Sequence, residues 1–107
     1  MKEFLVLRVT ERTGFQNPFP YKILGLENVI ETSTAYLALK MYMNMNRAWC
    51  SKDYGYYIGR VGTGLYSIFD EFDRTVCVAV ENGYRYYDSD SNRVTLTKEE
   101  LWREHPA

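Results

Sequence analysis

The second half of the chain alternates short apolar and aromatic segments with clusters of turn-forming residues, and this pattern restricts the fold most strongly. The segments are Tyr56 to Val61, Leu65 to Phe69, Thr75 to Glu81, Tyr84 to Tyr87 and Arg93 to Leu96. Gly, Asn and Asp separate them, as expected for consecutive antiparallel strands. Asn82-Gly83 is typical of a type I′ hairpin turn, which predicts that the flanking segments pair with each other.

Alternation within the strand Thr75 to Glu81 predicts which side chains share a face. The expected faces are Val76, Val78 and Val80 on one side, and Cys77, Ala79 and Glu81 on the other.

The first half adds two strands and the main helix. Phe4 to Thr10 is a strand candidate, Glu11 to Pro20 reads as a loop, and Tyr21 to Leu24 predicts a short strand before Gly25. Ser33 to Arg47 has helical spacing, with Thr32 or Ser33 as the expected N-cap. The apolar surface of this helix is wide, so we expect it to pack across the sheet.

A short helix is predicted near residue 100. Thr97-Lys98-Glu99-Glu100 has the form of a capping box, and Leu101 and Trp102 are expected to pack this helix down. The fold class is therefore α+β: a mostly antiparallel sheet, a β-meander of about five to six strands, with one long helix across it and a short C-terminal helix. Residues 1–107 are expected to form one domain.

Composition restricts the function classes. The chain has 13 basic and 14 acidic residues and no segment long enough to span a membrane. Its two cysteines predict free thiols and a cytoplasmic location. The lone His105 provides no basis for a histidine-dependent catalytic site or a multi-histidine metal site, so we expect no enzyme and no cofactor.

Aromatic content is the most distinctive compositional feature, with 10 Tyr, 5 Phe and 2 Trp. Exposed tyrosines beside acidic turns would make a protein-binding surface, because aromatic anchors contribute much of interface energy. The predicted partner-binding residues are Tyr84, Tyr86, Tyr87, Asp70, Glu71, Asp73, Asp88 and Asp90. The leading hypothesis is a small non-enzymatic binding protein, such as a phage-type inhibitor of host machinery, and a homodimer is a further alternative.

Two alternatives use other residues. A nucleic-acid-binding module would stack bases on tyrosines beside arginines, namely Tyr56, Tyr57, Arg60, Arg85 and Arg93. A small phosphate- or nucleotide-binding enzyme would use the loop Gly59–Gly64, which also fits the Gly-x-x-Gly clamp of KH domains. A glycine-rich hairpin is the favoured interpretation of that loop.

The stretch from Asp88 to Glu99 resembles an EF-hand calcium loop. Oxygen-bearing side chains stand at the required places, namely Asp88, Asp90, Asn92 and Glu99. Arg93 stands where that family needs Gly, and the preceding segment predicts a strand instead of a helix. The alternative is a polar hairpin turn followed by a helix cap. Gly83 to Thr95 is also similar to one unit of a choline-binding repeat, although such units build their sites between neighbours.

Overall fold

Two antiparallel sheets and two helices form the structure, a computed structural model that describes residues 1–10, 18–62 and 64–104. The elements in chain order are β1 (Lys2–Val9), β2 (Ile23–Thr32), α1 (Ala35–Met45), a 3₁₀ turn (Lys52–Tyr54), β3 (Tyr57–Arg60), β4 (Tyr66–Phe69), β5 (Thr75–Glu81), β6 (Tyr84–Tyr87), β7 (Arg93–Leu96) and α2 (Lys98–Glu104). Residues 11–17 of the predicted loop, and His105, lie outside the described residues.

The larger sheet has five strands in the order β2-β1-β5-β4-β3, and β6 and β7 pair in a separate sheet. Helix α1 packs across the larger sheet, and α2 is the short C-terminal helix. The predicted α+β class, with its mostly antiparallel sheet and two helices, is confirmed.

Both faces of the larger sheet are covered, which explains why β1 is apolar on both sides. Phe4, Val6 and Cys77 face α1, whose Leu39 and Tyr42 fill this layer. The opposite face packs against Tyr84 and Tyr86 of β6, Leu101 of α2 and Phe19; its own side chains are Leu5, Leu7, Val78 and Val80. A strand buried on both faces reads as a continuous apolar run and sits in the interior of its sheet.

The Asn82-Gly83 turn connects two layers instead of closing a hairpin, so the predicted pairing of β5 with β6 is wrong. Strand β5 pairs with β1 and β4, which leaves it no free edge for β6. Gly83 has a positive φ of 94°, but Asn82 does not, so the turn is not of the predicted type I′. The Asn82 side chain donates to Glu3 at 3.2 Å and accepts from the Lys98 N–H at 3.1 Å, which ties the crossing to β1 and α2.

Strand β2 is longer than the predicted segment Tyr21 to Leu24, because it continues through Gly25. Its pairing with β1 has two irregularities, between Val6 and Leu7 and between Arg8 and Val9 on the β1 side. A bulge shifts the side-chain alternation without ending the strand, so the sequence pattern looks broken where the strand continues.

A bulge also explains why Val76 does not share a face with Val78. Ile68 pairs with Cys77 and Phe69 pairs with Thr75, which leaves Val76 as the extra residue. Val76 packs with the α1-side cluster together with Cys77, contrary to the predicted alternation.

Each helix begins with a side-chain cap. Thr34, and not Thr32 or Ser33, caps α1, accepting the Leu37 N–H at 3.2 Å. Thr97 accepts the Glu100 N–H at 3.2 Å, as half of the predicted capping box requires. Leu101 is buried, but Trp102 is 53% exposed, so the expectation that both would pack down is wrong for Trp102.

A helix that crosses a bilayer needs about 20 consecutive, mostly apolar residues. Within the described parts of the chain, neither helix is long and apolar enough to cross a membrane.

Candidate functional site

Helix α1 buries only one part of its apolar surface. Ala38, Leu39 and Tyr42 face the sheet and are buried. A second apolar stripe, formed by Leu37, Met41 and Met45 at four-residue spacing, is exposed, with 44% of Met41 and 58% of Met45 accessible to solvent. Exposed apolar side chains in a contiguous stripe, unlike scattered ones, are typical of an interaction surface.

Leu37 and Met41 of this stripe line one wall of a groove, which we call the α1–β3 groove. Its other wall comes from Ile58 with Tyr56 and Tyr57, and one end is formed by Ser51 and the 3₁₀ turn. The groove encloses about 690 Å³. Strand β3 lies at the edge of the larger sheet, so the groove runs beside an edge strand.

Basic side chains dominate the rim. Lys40, Arg47 and Lys52 line the α1–β3 groove, and Asp53 is the acidic residue among its lining side chains. Within residues 1–10, 18–62 and 64–104, none of the three cations forms an ion pair. The chain as a whole carries a formal net charge of −1, so positive charge is concentrated locally at this groove.

A row of rings and cations extends the basic rim toward the end of β3. The Lys40 ammonium lies 5.8 Å from the Tyr36 ring, and Tyr36 meets Tyr66 edge-to-face at 5.7 Å. The Arg60 guanidinium lies 5.2 Å from the Tyr66 ring centre. These contacts hold the long cationic side chains close to the surface while leaving their charges accessible.

The outer wall of the groove is held by contacts on the far side of β3. Tyr57 stacks on Phe69 with ring centres 5.2 Å apart, and its hydroxyl donates to the Asp73 carboxylate. That hydrogen bond is the main reason the pKa of Tyr57 is raised. A Cβ at Gly59 would lie 3.1 Å from the Phe69 ring, so a side chain there would force the ring to shift.

The acidic residues of the predicted partner-binding surface divide between two turns. Asp70, Glu71 and Asp73 lie in the β4–β5 turn, and Asp88 and Asp90 lie in the β6–β7 turn of the other sheet. Asp70 is buried, and its carboxylate accepts from the Arg74 guanidinium at 2.9 Å. Desolvation acts to raise the pKa of Asp70, but the hydrogen bonds from Arg74 and Phe72 together hold it below its usual value.

The predicted tyrosine anchors are mostly turned inward. Tyr84 and Tyr86 are half-buried, and their rings lie 6.2 and 5.1 Å from that of Phe19. Burial is the main reason the pKa of each is raised. Tyr87 is 58% exposed, so it is the tyrosine of this trio with most surface free for a partner.

The residues of the nucleic-acid alternative lie on two separate layers. Tyr56 and Arg60 are on the α1 side of the larger sheet, and Tyr57 is on β3 with its ring against Phe69. Arg85 and Arg93 are exposed on the strands of the smaller sheet, whose inner side chains cover the opposite face. The five residues are therefore divided between two layers and do not form one continuous platform.

The Gly59–Gly64 segment is the hairpin between β3 and β4, as the favoured interpretation predicted. The Val61 N–H donates to the Leu65 carbonyl at 3.1 Å, and the Gly64 N–H donates to the Val61 carbonyl at 2.9 Å. Thr63 lies outside the described residues. The turn itself uses these two N–H groups, which a phosphate-binding loop would have to offer to its ligand.

The calcium-loop resemblance falls on the β6–β7 hairpin. Asp88 accepts the N–H groups of Asp90 and Asn92, each at 2.9 Å, and Glu99 follows strand β7 on α2. Among residues that the structure describes, no three His, Cys, Asp or Glu side chains gather in a group that could hold a metal ion.

The α1–β3 groove was missed at the sequence level, although a signal for it was present. Leu37 and Met41, which line the groove, repeat with Met45 every fourth residue beside the buried stripe. The width of the apolar surface of α1 predicts that the helix packs against other elements. It does not predict which stripe becomes buried and which stays exposed.

Comparison with known proteins adds no assignment to this geometry. The chain matches no protein-family model, no curated protein and no solved structure.

Proposed function

We propose that this protein is a small non-enzymatic binding protein that acts through protein–protein interaction, and that the α1–β3 groove receives an acidic segment of its partner. The observation that carries the proposal is the pair of exposed apolar side chains Leu37 and Met41 in the groove, beside three cations that form no ion pair within the described residues. Methionine and leucine side chains can pack against apolar side chains of a partner segment. The cations favour a partner segment that also carries acidic side chains.

The apolar wall favours a protein partner over a nucleic acid. Nucleic-acid platforms present aromatic faces for stacking along a basic track. Here aliphatic side chains, Leu37, Met41 and Ile58, form much of the groove. A segment that carries both acidic and apolar side chains complements both features.

Two finer predictions belong to the same proposal. A cytoplasmic location is supported by Cys50 and Cys77, which are buried as free thiols. Inhibition of host machinery by a phage-type protein is one role that such a groove would serve, and it stays a prediction.

The test is a selection from a library of random displayed peptides. We expect the recovered peptides to combine Asp or Glu with large apolar residues, and to bind less tightly as salt is raised. Met41→Glu should abolish their binding because it removes an apolar contact and places a negative charge in the groove. Leu24→Glu is the matched control, since Leu24 is an exposed apolar residue on β2, outside the groove lining.

Two results would contradict the proposal. Recovery of no peptide, or of peptides that bind Met41→Glu as well as the parent protein, would remove the groove as the binding surface. Salt-sensitive binding of a single-stranded oligonucleotide that Met41→Glu abolishes, with no peptide recovered, would instead assign the groove to nucleic acid.

A further inference from the structure

We propose that the acidic segment binds in extended form, as a sixth strand added to the outer edge of β3. This inference rests on the proposed function and specifies how the groove would be occupied. Strand addition derives affinity from main-chain hydrogen bonds and specificity from pockets that take alternate side chains. The edge of β3 and the adjoining groove offer both.

Strand β3 has main-chain groups that point away from the sheet. The Val61 N–H donates to the Leu65 carbonyl, so these two residues form a hydrogen-bonded pair at the end of the β3–β4 ladder. Hydrogen-bonded and non-hydrogen-bonded pairs alternate along antiparallel strands. Gly59 and Tyr57 therefore direct their N–H and carbonyl groups to β4, while Ile58 and Arg60 direct theirs outward. Within the described part of the chain, no strand pairs with that outer edge.

The same two residues contribute side chains on the groove side. Ile58 lines the groove, and the Arg60 guanidinium lies over Tyr66, whose ring contacts Tyr36 of α1. A strand paired with Ile58 and Arg60 would therefore place alternate side chains in the groove. Main-chain pairing and side-chain contacts would then act on the same segment.

The other edge of the sheet is less suited to this role. Strand β2 is longer, but its pairing with β1 has two register irregularities, and bulges of this kind discourage edge pairing. It also carries Glu27 and Glu31, whereas the β3 side of the sheet carries Arg60 and the basic rim.

Charge specifies the occupant as an acidic segment and disfavours a second copy of the same edge. Two copies of β3 would bring two Arg60 side chains and two basic rims together, and like charges at an interface are repulsive. A four-residue strand with an arginine is also protected against indiscriminate pairing. An acidic partner segment that lies beside Arg60 would instead be attracted to it and to the basic rim.

Proline and alanine substitutions at Arg60 separate the main-chain contribution from the side-chain contribution. Arg60→Ala removes the guanidinium and keeps the N–H, whereas Arg60→Pro removes both. Because this N–H points outward, Pro is compatible with the β3–β4 ladder. With the tightest-binding acidic peptide from the display selection, we expect Arg60→Pro to bind roughly tenfold more weakly than Arg60→Ala.

Amide hydrogen exchange of the parent protein gives a second readout that needs no variant. Binding of the same peptide should protect the amides of Ile58 and Arg60, while that of Leu24 on β2 should exchange unchanged. Protection of these two amides would support strand addition even if Arg60→Pro does not fold.

The outcomes distinguish the two proposals. Equal binding by Arg60→Pro and Arg60→Ala, with both amides unprotected, would overturn strand addition; loss of binding by Met41→Glu would still uphold the groove. Failure of Met41→Glu to affect binding would reject the proposed function and this inference together. A peptide-free dimer in which Ile58 and Arg60 are already protected would replace the acidic segment with a second copy.

Discussion

Asp70 and Asp88 hold two separate hairpins with the same pair of hydrogen bonds. Each carboxylate accepts the N–H groups of the residues two and four positions further along the chain, all at 2.9 Å. In both turns the residue three positions after the aspartate, Asp73 or Ser91, has a φ of 62°. One turn type is therefore used twice, in two different sheets.

The positive φ of Ser91 predicts that glycine will be better tolerated at that position than serine. The left-handed conformation costs an ordinary residue about 1 kcal/mol, and glycine adopts it without that cost. We expect Ser91→Gly to raise the free energy of unfolding by up to about 1 kcal/mol in urea titrations. Ser89→Gly in the same turn is the control and should be slightly destabilising, since Ser89 does not have a positive φ. The reverse order would contradict this account of the turn.

Gly55 and Gly83 both have a positive φ, of 88° and 94°, but differ in the space around them. A Cβ at Gly55 would lie 2.6 Å from the Glu71 Cβ, whereas at Gly83 nothing lies within 4 Å. Gly83→Ala should cost about 1–2 kcal/mol from backbone strain alone. Gly55→Ala should cost about 1–3 kcal/mol more, because the 3₁₀ turn must move away from the β4–β5 turn. Thermal melts of the two variants provide the comparison. Equal losses of stability would mean that the close contact with Glu71 is relieved at no cost in free energy.

Tyr42 anchors a partly buried polar network beneath α1. Its hydroxyl donates to Glu27 at 2.6 Å, Glu27 pairs with Arg8 at 3.3 Å, and the Arg8 guanidinium lies 4.5 Å from the Trp49 ring. Burial first, and then this hydrogen bond, raise the pKa of Tyr42. Tyr42→Phe should cost about 1.5–3 kcal/mol, because a hydrogen bond to a charged group is lost. Tyr36→Phe, on the exposed side of the helix, is the control and should be nearly neutral in the same denaturant titration.

The two cysteines predict a loss of stability in alkali. Burial is the main cause that raises the pKa of Cys50 to about 11 and that of Cys77 to about 12. In the unfolded chain a thiol ionises near 8.5, so from about pH 9 to 11 the unfolded state binds fewer protons than the folded state. The free energy of unfolding should then fall as pH rises, by about 1.4 kcal/mol per pH unit for each cysteine.

Urea titrations at several pH values measure this slope, and a variant with both cysteines replaced by alanine should show a shallower one. At pH 8 neither thiol should react with iodoacetamide until denaturant unfolds the protein. Labelling of the folded protein at the rate of a free thiol would contradict the buried, protonated state.

Much of the fold could be predicted because local signals and tertiary structure agree. Strands β5, β6 and β7 have the predicted bounds, since each lies between turn residues that match its backbone. Residues 66–74 and 84–93 are similar in sequence, and the structure has two hairpin turns of the same build there, in which Asp70 and Asp88 accept equivalent hydrogen bonds.

Sheet connectivity could not be predicted because it depends on which strand edges are already occupied. Asn82-Gly83 has the residue types of a hairpin turn, but β5 pairs with β1 and with β4, so neither of its edges is free for β6. Bulges at Val76 and within β2 likewise depend on partner strands that the local pattern does not specify.

The candidate site was harder to predict, because its residues come from distant elements. Met41 on α1, Lys52 on the 3₁₀ turn and Ile58 on β3 meet only in three dimensions. The predicted partner surface instead relied on Tyr84 and Tyr86, whose rings the fold half-buries against Phe19. A tyrosine-rich strand does not by itself indicate which tyrosines face solvent.

The pairing of β1 with β5 has a consequence for the protein as it is synthesised. Glu3 at one end of β1 meets Asn82 just after β5, across 79 residues of chain. At about 5–20 residues per second, a ribosome needs roughly 4–16 s to translate that interval. Until β5 has been made, β1 lacks its inner strand neighbour. Residues 82–104, made after β5, then supply the outer layer that closes over Leu5 and Leu7, so a later segment shields an earlier one.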